Sequence, residues 1–179
     1  MPNINFDNVE ESTGGFERIE PGAYKITFVD ATDEVERQYV SLVLDIAEGE
    51  HKGFYGKDSF YEGKPYAHRL IMSYKPKALG ITKHRLNIIG ACNPGFDALA
   101  AFNNPAQFVG KTAYVAVGDE EYRANNGDVR TRTDWMHAKL LTPEQYAKGD
   151  YKVPDTVPLK DEGTGSTDSD SVYSADIPF

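Results

Sequence analysis

Two stretches near the N-terminus alternate sides residue by residue, and that period admits one kind of backbone. In "AYKITFVDA" (residues 23–31), Tyr24, Ile26 and Phe28 share one face while Lys25, Thr27 and Val29 share the other. In "QYVSLVLDIA" (38–47), Val40, Leu42, Leu44 and Ile46 oppose Tyr39, Ser41, Val43 and Asp45. A side-chain period of two predicts strands with one buried face. The acidic "TDEVER" between them reads as a hairpin loop and "EGEHKG" as the next turn. "FYGKDSFY" (54–61) is then the expected third strand. Phe54 and Phe60 lie on its core side, Tyr55, Lys57 and Tyr61 on the other, and Gly56 marks a bulge or bend.

After Pro65 the period changes. "PKALGITKHRLNIIGA" puts Leu79, Leu86 and Ile89 on one helical stripe, with Pro76 suited to the first turn. A short second helix, "GFDALAAF", follows. "GKTAYVAVG" returns to a strand, Asn125-Asn126-Gly127 is a turn signal, and "RTRTDWMHAKLL" forms the fifth strand. There Met136, Ala138 and Leu140 are expected inward, Trp135, His137 and Lys139 outward. Ile26, Leu42, Leu44, Val115 and Leu140 should share one core, together with Phe28. Three strands, a helical insert and two strands is the chain order of the OB-fold, a mostly-β, five-stranded barrel that often binds oligonucleotides on one face. The expected domain spans 21–146, after a flexible arm over 1–20. From 147 to 179 the chain turns to Pro, Gly, Ser, Thr and Asp, which predicts a disordered acidic tail.

A net charge of −9 argues against a nucleic-acid binder until its distribution is considered. Residues 51–118 carry nine bases (Lys52, Lys57, Lys64, Arg69, Lys75, Lys77, Lys83, Arg85, Lys111) against three acids (Asp58, Glu62, Asp97). The first fifty residues and the tail hold the acidic excess. A basic centre between acidic ends can steer a polyanion to one patch, and an ordinary mixed-charge surface is the plainer alternative. No apolar run reaches the roughly 18–20 residues of a membrane helix. With no secretory pattern and a single cysteine, Cys92, the expected setting is the cytosol.

The chain ends "SVYSADIPF" after "KDEGTGSTDSD". An acidic Gly/Ser-rich tail ending DIPF resembles the tail tip of bacterial single-stranded DNA-binding proteins. The stretches "PGAYKITFVDA", "LDIAEGEHKGFY" and "FVGKTAYVAVGDEEY" resemble a phage-type branch of that family. A helical insert this long after the third strand departs from the bacterial pattern, which leaves the DNA path and any homo-oligomer open. The resemblance implies sequence-independent binding of single-stranded DNA, in the host cytoplasm if phage-encoded. It further implies that Asp176, Ile177, Pro178 and Phe179 dock on replication or recombination enzymes. The physics agrees: Phe179 can fill an apolar pocket while its carboxylate meets a base. Pro178 lowers the ordering cost, and Asp168, Asp170 and Asp176 attract a basic partner.

Strand binding needs cations along the backbone and aromatic faces under the bases. The candidates are Tyr39, Tyr55, Lys57, Tyr61, Tyr74, Lys77, Arg130, Arg132, Trp135 and Lys139, with Tyr66 beside Arg69. Each aromatic has a plainer reading as core. Catalytic signals are thin. His51, His68, His84 and His137 lack metal spacing with one another or with Cys92, and Cys92 reads as a small buried hydrophobe. "DEEY" with Asp128 reads as a solvated loop sooner than an ion site. No cofactor and no enzyme activity are expected. Two rival functions remain at this stage: a protein-recruiting adaptor with little DNA affinity, and a metal-dependent nuclease.

Overall fold

The alternation of the first stretch becomes β1 (Gly22–Glu34), and that of the second becomes β2 (Tyr39–Ile46). The computed structural model describes residues 18–160. β1 pairs antiparallel with β2 on one side and with β4 (Thr112–Arg123) on the other. Ile26 therefore faces Ile46 in one ladder and Ala113 in the other. β3 (Arg69–Ser73) adds to β2, and β5 (Val129–Leu141) to β4, giving a five-stranded antiparallel sheet in the order β3-β2-β1-β4-β5. Ile26, Phe28, Leu42, Leu44, Val115 and Leu140 fall in one buried cluster, as the alternation predicts. Each such side chain contributes about 1.5–3 kcal/mol through burial.

The sheet curls. Its edge strands β3 and β5 come into contact, although no ladder joins them among the described residues. Helix α1 (Leu79–Cys92) lies across that seam, touching β3, β4 and β5. Its inward stripe is Thr82, Arg85, Leu86 and Ile89, whereas Leu79, expected inward, is exposed. Two members of the stripe are polar because the seam leaves carbonyls unpaired. Thr82 donates to Ser73 O, and Arg85 donates to Ile71 O on β3 (3.2 Å) and Ala138 O on β5 (3.4 Å). One guanidinium thus spans both edges. Helix α2 (Ala98–Ala101), capped by Asp97, and α3 (Pro143–Lys148), with a Thr142–Gln145 capping box, complete the elements.

The third strand differs from expectation. Residues 48–64 form successive turns, with i to i+3 bonds such as Gly56 N to Gly53 O (2.9 Å) and Lys64 N to Tyr61 O (2.9 Å). Gly49, Gly53 and Gly63 sit at positive φ, which breaks any run of extended backbone. The strand is instead "RLIMS", five residues whose Leu70, Ile71 and Met72 are all buried. Phe60 leaves the core with the lost strand and is 53% exposed.

Both ends of the described residues are tied to the sheet more closely than composition suggests. Ile19 is fully buried, its carbonyl accepts from Thr133 Oγ1 (2.8 Å), and Arg18 pairs with Asp119. Residues 18–20 are therefore not part of the loose arm expected over 1–20, the rest of which lies outside the described residues. At the other end, Val157 bridges β4: its N–H donates to Asp119 O (2.8 Å) and its carbonyl accepts from Glu121 N (2.9 Å). Pro154, Val157 and Leu159 thus lie along β4's free edge, where β1 no longer pairs, in a stretch expected to be a loose linker. Gly118 makes this possible, since a Cβ there would lie 2.5 Å from Pro154 O. Gly118→Ala should free this strap at a cost of roughly 1–3 kcal/mol. Hydrogen exchange at Val157 N would then speed up; unchanged protection would mean that the strap moves with the strand. Residues 161–179, including Asp176–Phe179, lie outside the described residues. Among the described residues no helix is long and apolar enough to cross a membrane.

Candidate nucleic-acid interface

The turns of 48–67 and the β4–β5 hairpin face each other across a cleft of about 710 Å³. Asp45 starts the first wall: its carboxylate accepts from Ile46 N (2.8 Å) and Tyr55 N (2.9 Å), which turns the chain and aims Tyr55 inward. Phe54, Tyr55, Phe60 and Tyr61 then pack against one another at centroid distances of 4.9–5.6 Å, edge to face except for the tilted Phe54–Tyr61 pair. This cluster stiffens a loop that has no ladder of its own. It leaves Phe60 (53%) and Tyr66 (65%) exposed. Lys64 Nζ sits 3.5 Å over the Phe60 ring and donates to Phe60 O.

The second wall is built by the hairpin around Asn125-Asn126-Gly127, where Gly127 takes φ 90°. "DEEY" lies within β4, not in a loop. Tyr122 pairs across the ladder with Arg130, and Glu120 with Arg132. The Arg132 guanidinium lies 5.0 Å over the Tyr122 ring and donates to Glu120 (2.6 Å).

The floor is a buried network. Trp135 is 2% exposed, and its Nε1 donates to Tyr55 Oη (2.7 Å). Tyr55 stacks on His68 at 4.4 Å and 4°, and His68 Nδ1 meets Leu44 O. Burial pushes the Tyr55 hydroxyl up and the His68 imidazole down. Trp135 was expected outward; a bulge turns it in. Ala116 pairs with Lys139 and Gly118 with Asp134, so residues 135–138 of β5 oppose Val117 alone. Such an insertion resets which face each residue takes. Trp135 and Ala138 both end up buried, and Met136, expected inward, lies half-buried along the cleft. Asp134, itself buried, ties the bulge by accepting from His137 N (3.2 Å) and bonding His137 Nδ1 (2.7 Å).

That bond raises the His137 pKa above the ordinary value, opposed by burial. His137 therefore adds stability fully below the unfolded value of about 6.5, lost as pH rises through its higher folded value. His68 behaves oppositely: its neutral ring is favoured, so stability falls as pH drops from about 6.5 toward its depressed folded value. Asp134→Asn should move the His137 ring resonance to a lower midpoint and leave His68 in place, followed by NMR titration. A His137 midpoint unmoved in that variant would assign its shift to other neighbours.

Of the ten candidate strand-binding residues, the cleft gathers Tyr55, Tyr61, Arg130, Arg132 and Trp135. Tyr55 and Trp135 belong to the closed floor and offer no free ring face. Tyr39 is buried at 6% exposure because β2 is covered on both faces. Tyr74 donates to Asp33 (2.9 Å) away from the cleft. Lys57, Lys77 and Lys139 lie outside the lining, the first two exposed. Arg18, Phe60, Lys64 and Tyr122 were not among the candidates. The signal for Tyr122 was available: "EEYR" and "VRTRT" alternate symmetrically about Asn-Asn-Gly, which predicts cross-strand Tyr–Arg neighbours. Cys92 is half-buried, its thiol pushed up by burial, as a small packing residue would be. Compared with protein-family models and with curated proteins, the chain matches none.

Proposed function

We propose that this chain is a single-stranded DNA-binding protein on an OB-fold, acting by sequestration without chemistry. The fold reading is supported by the order β3-β2-β1-β4-β5, by the approach of β3 to β5, and by the helix over their seam. The functional reading rests on one observation. The cleft sets cations over rings, Lys64 over the exposed Phe60 and Arg132 over the half-buried Tyr122. Stacking on such rings tolerates any base, and the cations follow the backbone, which yields binding without sequence preference. The test is an oligo(dT) titration at two salt concentrations. Affinity should fall with salt at a slope of about −0.7 per phosphate contacted. Absence of binding would leave the adaptor reading in its place, and strand loss on adding magnesium would favour the nuclease.

Residues 176–179 are proposed to dock on replication or recombination proteins, because an apolar Ile-Pro-Phe run beside acids suits a basic-rimmed apolar pocket. Deleting Asp176–Phe179 should leave the melting temperature and oligo(dT) affinity unchanged or slightly higher, while capture of a purified partner enzyme drops at least tenfold. Equal capture by both forms would remove this role from the tip.

A further inference from the structure

The cations of the cleft are not equivalent. Arg18 pairs with Glu20 and Asp119, and Arg132 with Glu120. Lys64 donates to a carbonyl, and Arg130 stands exposed on the hairpin. Arg69 has none of these arrangements. It opens β3, lines the cleft and is half-buried, with its guanidinium 6.0 Å from the Tyr39 ring. Its Nε is closed to solvent and has no hydrogen-bond partner among the described residues. It forms no ion pair with any described carboxylate. The buried Nε carries a desolvation cost that no hydrogen bond from the described residues offsets.

The neighbouring chemistry limits what could offset it. The floor of the cleft that Arg69 lines is closed by Tyr55 and Trp135, which bond to each other and pack edge to face. A base pushed to the floor would find no open ring face. The accessible rings line the walls, exposed Phe60 and Tyr66 on one and half-buried Tyr122 on the other. A phosphate oxygen brings full negative charge and suits the planar fork of an arginine; a base carbonyl brings only a dipole. We propose that Arg69 seats one phosphodiester of the bound strand at the cleft floor, so that the backbone enters first and the bases turn outward onto the wall rings. This rests on reading the cleft as the path of single-stranded DNA, and it assigns that path a polarity: phosphate in, bases out.

The test uses the full chain and three variants of one side chain's chemistry: wild type, Arg69→Gln and Arg69→Lys. Each is titrated with oligo(dT), oligo(dC) and oligo(dA) at several salt concentrations, and with a methylphosphonate oligo(dT) of the same length. Trp135 emission, from the residue under the floor, reports that each variant is folded. Arg69→Gln should lose roughly 10–100-fold in affinity, as expected for one charged hydrogen bond. Its salt slope should shrink by about 0.7, and the loss should be equal for the three bases. Arg69→Lys should keep the slope and recover part of the affinity, because charge remains and the fork does not. On the uncharged methylphosphonate strand, wild type and Arg69→Gln should bind alike. An unchanged slope with a changed ranking of the bases would overturn the proposal in favour of a base-edge contact. Arg69→Gln indistinguishable from wild type would overturn it in favour of packing on Tyr39. Wild type that binds no oligonucleotide would remove the DNA function itself, a different failure from binding that ignores Arg69.

Discussion

Trp135→Ala is expected to lower the unfolding free energy by about 3–5 kcal/mol, the range for emptying a buried large aromatic site. The side chain is 2% exposed and lies under both walls of the cleft. Its loss opens a cavity and removes the donor to Tyr55 Oη, on a ring that also stacks on His68. For an ordered region of this size the melting temperature should fall by roughly 10 °C or more. Trp135→Phe keeps most of the volume and should cost less. Tyr55→Phe strands the indole N–H and should cost about 1–3 kcal/mol. Wild-type emission should be blue-shifted and poorly quenched by iodide, because the indole is closed to solvent. Oligo(dT) should then quench it weakly, since no base can stack on it directly. Denaturant melts of the three variants decide the matter. Native stability in Trp135→Ala, with a loss confined to DNA affinity, would return this residue to the surface role that its place in an alternating strand suggests.

The reasons Trp135 was misplaced are general to this chain. Alternation located β1, β2 and β4 and assigned Ile26, Leu42, Leu44 and Val115 to the right face, because β1 runs unbroken against β4 and β2 against β3 there, and the extra residue of the β1–β2 ladder, Val29, lies on β1 beyond Phe28. It failed at β5, where Asp134 holds a bulge that no local pattern announces. It failed again at 48–64, where aromatic residues at strand-like spacing are arranged by turns and by a carboxylate from β2. The true third strand, buried along "LIM", shows no alternation to detect. Arg85 and Thr82 look like surface residues until the unpaired carbonyls of the sheet's seam are known. The tether at Val157 is made through backbone hydrogen bonds, and that at 18–20 through side chains of distant strands, Asp119 and Thr133; neither leaves a trace in local composition. The cleft inherits these limits. Its hairpin wall, with Arg130 and Arg132, was legible because a turn signal fixed the register. Its loop wall was legible only as an aromatic-rich stretch, and so Phe60 was assigned to the core while Tyr55 was assigned to the surface.

Replacing Phe60, Tyr66 and Tyr122 together by alanine should weaken oligo(dT) binding by about 3–9 kcal/mol, given roughly 1–3 kcal/mol per stacked base. The three rings come from both walls, so the effect does not depend on one loop alone. Phe60 and Tyr66 are more than half exposed and contribute little to the core, so the fold should survive. Tyr122 is half-buried beneath the Arg132 guanidinium, and its loss should lower stability slightly. The salt slope should stay close to that of wild type, because stacking releases few counterions. Changing Arg130 and Arg132 to alanine should do the reverse, flattening the slope by up to about 1.4 with a smaller loss of affinity at high salt. Lys57→Ala and Lys77→Ala, which lie outside the cleft, serve as charge-matched controls and should shift neither quantity by as much as either cleft arginine. The two signatures are orthogonal: rings set affinity at any salt, cations set its salt dependence. If the triple aromatic variant bound oligo(dT) as tightly as wild type while Lys57 and Lys77 controlled the slope, the strand would have to run over the helical insert, and the cleft would be left without a nucleic-acid role.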